Sequence, residues 1–328
     1  MANGQLQIAN AKKEGPPMSE TVAGDSFSQQ MMTLSALTYV NENKPLPEIK
    51  PALVSQLAIP EYATGGNWSL VWGPCQKDET MFFCVQERTA PQRLVLCVRG
   101  TDLMDFDNWV EDLWVSLVDY PMAGKPFDGH PKIAKGTLLG LNQLTEMLTA
   151  AQPDAWATEG NSGSLFDFLV AQSGAADLEM TVTGHSLGGC LAVMLAVWLT
   201  DRLEKATVSA CTFAAPTPGE TELARYTESR LGERHQRHYN QLDVIPLAWN
   251  NLEGFKTTPS KMGWMDEWFK LLLDGMIELT KGKNFAHAAH PFPIAREARS
   301  EGGWFQQAGY EHDYNTYLTI LGAPTVKL

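Results

Sequence analysis

The stretch Thr183-Gly184-His185-Ser186-Leu187-Gly188-Gly189 decides how this chain is read. It holds Gly-x-Ser-x-Gly between a strand candidate, Met180–Thr183, and a helical pattern, Gly189–Leu203, in which Leu191, Met194, Leu195, Trp198 and Leu199 recur at helical spacing. A serine on so sharp a strand-to-helix turn is held in a strained backbone conformation. Glycines two positions to either side leave room for the turn, and the hydroxyl stands free above the sheet edge. The N-terminus of the following helix then points toward the reacting centre. A glycine-rich turn with no chemistry uses the same letters, so the setting and the partners further along carry the argument for a nucleophile.

Working outward, the chain alternates strands and helices. Trp68–Trp72 and Met81–Gln86 flank the polar turn Gln76-Lys77-Asp78-Glu79 and read as an antiparallel hairpin. Arg93–Val98 is almost continuously apolar, as a strand buried on both faces must be. Val208–Ala214 and His235–Asn240 are further strand candidates, and Leu138–Ala150 and Leu165–Ala171 carry helical patterns. An N-terminal helix is expected over Phe27–Val40, ended by Pro45 and Pro47. The fold class is therefore α/β, a mostly parallel central sheet with helices on both faces. A polar tail (1–24) precedes a single domain (25–328).

A serine hydroxyl needs a histidine to take its proton and a carboxylate to orient that histidine. Where the nucleophile sits on such an elbow, the chain order is Ser, acid, His. Asp243 fits the acid, because it follows the strand His235–Asn240 and precedes Val244-Ile245-Pro246, where proline turns the chain away. Asp201, Asp266 and Asp274 lie on helical patterns that place a carboxylate poorly. His312 fits the base, in a loop-like segment, Gly309–Tyr314, that enters a last apolar helix. His287 and His290 are the alternatives, and His185 reads as a packing residue.

The oxyanion of a tetrahedral intermediate needs donors fixed in advance. Leu187 N–H is one by its place after the nucleophile. Thr101, in Arg99-Gly100-Thr101 directly after the buried strand, offers the second. Beyond it Phe106, Trp109, Val110, Leu113, Trp114 and Leu117 form the apolar stripe of an amphipathic helix. That stripe serves either as a lid, about 102–118, whose aromatic face covers an acyl pocket, or as plain core. A second apolar helix, Met262–Leu279, falls inside a segment inserted between acid and base, about 249–308, and is equally open to both readings.

Composition narrows the partners. Apolar residues make up 44% and charged residues 19%, enough for a packed core. A formal net charge of −13 argues against nucleic acid and anionic membrane surfaces and leaves neutral or cationic substrates. The cysteines, Cys75, Cys84, Cys97, Cys190 and Cys211, are an odd set without metal-site spacing, and Cys97, Cys190 and Cys211 read as small buried hydrophobes. No metal site is expected from them. The N-terminus lacks the apolar core of a secretory signal, so the protein either stays inside or has lost its signal, and no transmembrane segment is expected.

Taken together, the blocks resemble the class 3 lipase family, which includes the fungal triacylglycerol lipases. The resemblance covers roughly residues 90–320. Its blocks are Arg99-Gly100-Thr101 with Asn108-Trp109 and Asp112-Leu113, then Thr183–Gly189, then Thr212-Phe213-Ala214-Ala215-Pro216, then Asn240-x-x-Asp243-x-Ile245-Pro246, and His312. It implies an α/β-hydrolase fold without a cofactor. It also implies ester hydrolysis through an acyl-enzyme at Ser186, with Asp243 and His312 completing the triad, Thr101 and Leu187 holding the oxyanion, and contact with a lipid–water interface. Ile133-Ala134-Lys135-Gly136-Thr137 stands where the family has a His-x-Gly-Phe segment, and the polar run Gln152–Ser164 lengthens the approach to the elbow, so pocket shape departs from the family's. A lipid esterase is the expected activity. Phospholipase A1, aryl (feruloyl-type) esterase and acyltransferase share the chemistry, whereas an inactive lipase-like binding module would lack a triad member.

Overall fold

A computed structural model describes residues 24–99, 115–151, 163–175, 177–257, 267–288, 291–294 and 303–328. From the N-terminus the described elements are α1 (Ser26–Ala36), α2 (Leu46–Leu57), β1 (Trp68–Lys77), β2 (Thr80–Glu87), β3 (Arg93–Arg99), β4 (Leu117–Asp119), β5 (Lys132–Ala134), α3 (Lys135–Thr149) and α4 (Leu165–Ala175). They continue with β6 (Leu178–His185), α5 (Leu187–Arg202), β7 (Ala206–Phe213), α6 (Thr221–Leu231), β8 (His235–Asn240), α7 (Gly254–Thr257), α8 (Glu267–Thr280), β9 (Pro291–Ile294), α9 (Trp304–His312) and α10 (Tyr314–Ile320).

The main sheet has the order β1-β2-β3-β6-β7-β8-β9, antiparallel from β1 to β3 and parallel from β3 onward. Strand β3 shows why its sequence is apolar throughout. Leu94, Leu96 and Val98 join one core with α3 and α5, while Val95 and Cys97 join another with α1, α2 and α10. Successive residues of a strand point to opposite faces, so a strand covered on both sides has no polar position to spare. Helices therefore lie on both faces, as the alternation of elements requires. Helix α5 is apolar around nearly its whole circumference, with Cys190 through Leu199 buried, because it lies over the centre of the sheet between α3 and α6. All five cysteines are free and buried.

Four elements differ from their sequence reading, the first being Leu117, assigned to the helical stripe of a lid over about 102–118 but lying on β4, where it pairs with Ala134 of β5. Pro45 and Pro47 do not merely end the first helix. They open α2, where Pro45 is the N-cap and Pro47 sits in the first turn, whose amide hydrogens have no intrahelical acceptor to lose. The segment Gly309–Tyr314, read as loop-like, instead carries the end of α9, of which His312 is the last residue, and the start of α10. The inserted segment supplies a strand, β9, that pairs with β8 at the sheet edge, where Pro291 and Pro293 cost no inter-strand bond on the open side. Helix α8 buries Leu273 and Met276 against Val244, Ile245 and Trp304 while Leu271 remains 75% exposed, so its inner face is core. Among the described residues no helix is long and apolar enough to cross a membrane.

Candidate active site

The parallel strands β6, β7 and β8 end on one side of the sheet, and each delivers part of a cluster there. At the end of β6 the chain reverses into α5 through Ser186, whose φ of 60° and ψ of −134° are rarely adopted by a residue with a side chain. The turn is possible because its neighbours are glycines. A Cβ on Gly184 would run into the Gly188 carbonyl, and one on Gly189 would stand 2.9 Å from the Gly184 carbonyl oxygen. The strained backbone is pinned by the Ser186 N–H donating to the Phe213 carbonyl at 2.9 Å, at the tip of β7. Ser186 is thereby fixed at the sheet's edge with its hydroxyl turned toward α9.

Asp243 comes from the loop after β8. Its N–H donates to the Asn240 carbonyl at 3.0 Å, and its Oδ1 accepts from the Ile245 N–H at 2.9 Å, so the loop closes on itself around the carboxylate. Asn240 ties that loop to α9 through Nδ2, which donates to the Glu311 carbonyl at 3.1 Å and to Glu311 Oε2 at 2.8 Å. The residue after Glu311 is His312. Its Nδ1 lies 2.8 Å from Asp243 Oδ2, and its Nε2 lies 2.7 Å from Ser186 Oγ. A carboxylate can only accept, so Nδ1 carries the proton and Nε2 presents a lone pair to the serine hydroxyl. Ser186, Asp243 and His312 are 5%, 2% and 7% exposed, so the serine proton has a base before it and little water to compete.

The structure brings these three sequence-predicted residues into one hydrogen-bonded line. His287 lies elsewhere, its Nε2 donating to the Pro246 carbonyl at 2.8 Å, and burial pushes its pKa down to about 3, so it remains neutral and structural. His290 and Asp266 lie outside the described residues. Asp274 is an exposed partner of Lys256 on α8, and Asp201 is buried at the far end of α5 in an ion pair with Arg230 at 3.0 Å. Leu187 is the first residue of α5, where helix geometry leaves amide hydrogens without an intrahelical acceptor, and its side chain packs between two cores. Thr101 and the stripe Phe106, Trp109, Val110 and Leu113 lie outside the described residues.

Two neighbours of the triad escaped the sequence reading. Tyr317 on α10 donates to Asp243 Oδ2 at 2.8 Å while accepting from the Asn240 N–H at 2.9 Å. The accepted N–H fixes the direction of its own proton. Burial and the Asp243 carboxylate drive the phenol pKa well above its ordinary 10, which keeps it a donor. His185, read as simple packing, is hydrogen-bonded through both ring nitrogens and touches the His312 ring, at a centroid distance of 4.8 Å. Only the place of His185 directly before Ser186 could have pointed to it from sequence.

With this geometry in hand, comparison with known proteins adds an independent line. Residues 95–252 match the model of a family described as lipase (class 3). A triacylglycerol lipase of Arabidopsis thaliana is 22% identical over 201 residues, covering 53% of this chain and 38% of that protein. A secreted mono- and diacylglycerol lipase of Malassezia restricta is 31% identical over 90 residues, covering 27% of this chain and 30% of its own. The matches thus span about a third of the length of these curated relatives. Among solved structures, the crystal structure of M37 lipase superposes with a TM-score of 0.78 at 25% identity, covering 90% of this chain and 93% of that one.

Proposed function

From the premise that the chain belongs to the class 3 lipase family and has the α/β-hydrolase fold, we propose that it hydrolyses carboxylic esters of lipids through an acyl-enzyme on Ser186. The observation that carries the reading is the unbroken line Ser186 Oγ, His312 Nε2, His312 Nδ1, Asp243 Oδ2, with distances of 2.7 and 2.8 Å between residues. His312 Nε2 takes the hydroxyl proton as Ser186 Oγ bonds to the acyl carbon, and the carbonyl π pair moves onto oxygen. The Asp243 carboxylate, 2.8 Å from Nδ1, steadies the imidazolium. The developing oxyanion is met by the Leu187 N–H at the positive end of α5 and by Thr101. Collapse breaks the bond to the alcohol oxygen, which leaves with the proton from His312. Water then gives its proton to His312, attacks the acyl carbon, and releases the acid as Ser186 regains its hydrogen.

Within this reading residues 25–328 act as one domain. The stripe Phe106, Trp109, Val110 and Leu113 forms the lid that meets the acyl chain and a lipid surface. A net charge of −13 suits an uncharged ester better than an anionic one. A panel of triacylglycerols, phospholipids and aryl esters of graded chain length tests the reading. Long-chain acylglycerols should be cleaved, and Ser186→Ala should lower turnover by roughly 10⁴-fold or more. Preference for aryl or phospholipid esters would reassign the substrate, and a Ser186→Ala protein of undiminished turnover would overturn the mechanism.

A further inference from the structure

His185, immediately before the proposed nucleophile, takes no part in the proton transfers described above, yet its surroundings are specific. Its Nε2 lies 2.8 Å from the backbone carbonyl oxygen of His312, and its Nδ1 lies 3.2 Å from the Tyr39 hydroxyl. The His312 carbonyl is the last of α9, one that no amide of its own helix can satisfy. A carbonyl only accepts, so Nε2 must carry the proton. Nδ1 is then the acceptor, and the Tyr39 hydroxyl donates to it. Tyr39 is itself stacked on Tyr314, the first residue of α10, with centroids 5.4 Å apart and planes 12° from parallel. Burial, reinforced by the neighbouring His312, pushes the His185 pKa well below the ordinary 6.5, so the ring stays neutral and this tautomer persists.

The consequence is geometric. Two adjacent residues of one turn grip the base at two points, Ser186 at the imidazole and His185 at the main-chain carbonyl. We propose that His185, held as its Nε2-protonated tautomer by Tyr39, is a positioning residue that fixes His312 on the same strand turn that carries the nucleophile. The proposal rests on the reading of Ser186 and His312 as nucleophile and base. It makes the donated hydrogen bond, and not the bulk of the ring, the operative feature.

The test compares kcat and KM, on one soluble ester, for His185→Gln, His185→Asn and His185→Phe. Glutamine can place an amide donor where Nε2 stands. Asparagine is too short to reach the His312 carbonyl, and phenylalanine fills the space without donating. His185→Phe and His185→Asn should lose roughly 10- to 100-fold in kcat with KM within about twofold, the cost of a base displaced by a fraction of an ångström. His185→Gln should recover most of the loss. Should the phenylalanine variant fail to fold, the Gln and Asn pair gives the same contrast. Equal losses in Gln and Asn, or wild-type kcat in a folded His185→Asn protein, would overturn the proposal. The underlying reading is checked separately by Ser186→Ala in the same assay: if that variant keeps its turnover, the triad assignment has failed and not the role of His185.

Discussion

Asp243 and Asp201 are both buried, at 2% and 7% exposure, and each accepts a tyrosine hydroxyl, Asp243 from Tyr317 and Asp201 from Tyr226. Each also accepts a backbone N–H, from Ile245 at 2.9 Å and from Gly124 at 3.0 Å. They differ in the last partner. Asp201 faces the Arg230 guanidinium at 3.0 Å, a charge that never leaves, and so clamps the end of α5 to α6. Asp243 faces Nδ1 of His312 at 2.8 Å, on an imidazole whose other nitrogen meets the Ser186 hydroxyl. Two nearly equivalent carboxylate cradles thus serve opposite ends of one helix. A permanent cation makes a carboxylate structural, whereas a titratable partner leaves its field available for chemistry.

Asparagine at each position separates the two roles. Asp243→Asn should cut kcat by roughly 10⁴-fold, because the amide cannot hold the required His312 tautomer. Its urea unfolding midpoint should stay close to wild type. Asp201→Asn should do the reverse, leaving activity per folded molecule within about twofold while costing about 3 kcal/mol in the same unfolding experiment, since Arg230 is left without its counter-charge. If both variants lose chemistry to the same degree, the distinction drawn between the cradles is wrong.

A smaller effect sharpens the contrast on the imidazole side. His312 has a partner on each nitrogen, whereas His238 is stacked between Phe213 and Phe292, 5.1 and 5.0 Å away, with neither nitrogen hydrogen-bonded among the described residues. Burial moves its pKa from 6.5 to about 4. The folded-state value is the lower one, so below about pH 6.5 the unfolded chain takes up a proton that the folded chain refuses. Stability is then lost as pH falls toward 4. Between pH 7 and 5 this group alone should cost about 2 kcal/mol. His238→Phe should remove that increment from the pH dependence of unfolding. An unchanged slope would mean that His238 is protonated in the folded protein.

Much of the fold was legible because it is written locally. The two-face burial of Arg93–Val98, the hairpin before it and the elbow at Ser186 each follow from residues adjacent in sequence. That Ser186, Asp243 and His312 would meet in space was expected from chain order alone, a carboxylate and then a histidine following the serine elbow. What was not legible depends on contacts between distant segments. The hydrogen bonds of His185 to His312, Tyr317 to Asp243 and Asn240 to Glu311 span 127, 74 and 71 residues, and no local periodicity records them. Helix α9 was missed for a different reason. Gly309 weakens its intrinsic helix signal, and burial of Trp304 and Ala308 against Val244 and Ile245 supplies the missing stability. Strand β9 was hidden by its two prolines, which an edge tolerates and an interior position would not.

The central claim is that the Ser186 hydroxyl is made nucleophilic by His312 within this hydrogen-bonded line. Reaction of the protein with an alkyl phosphonate fluoride, followed by peptide mapping, measures it most directly. A single adduct on the peptide carrying Ser186, formed at a rate that collapses in His312→Ala, is the expected result. An adduct on another residue, or no adduct in a preparation that still cleaves esters, would contradict it.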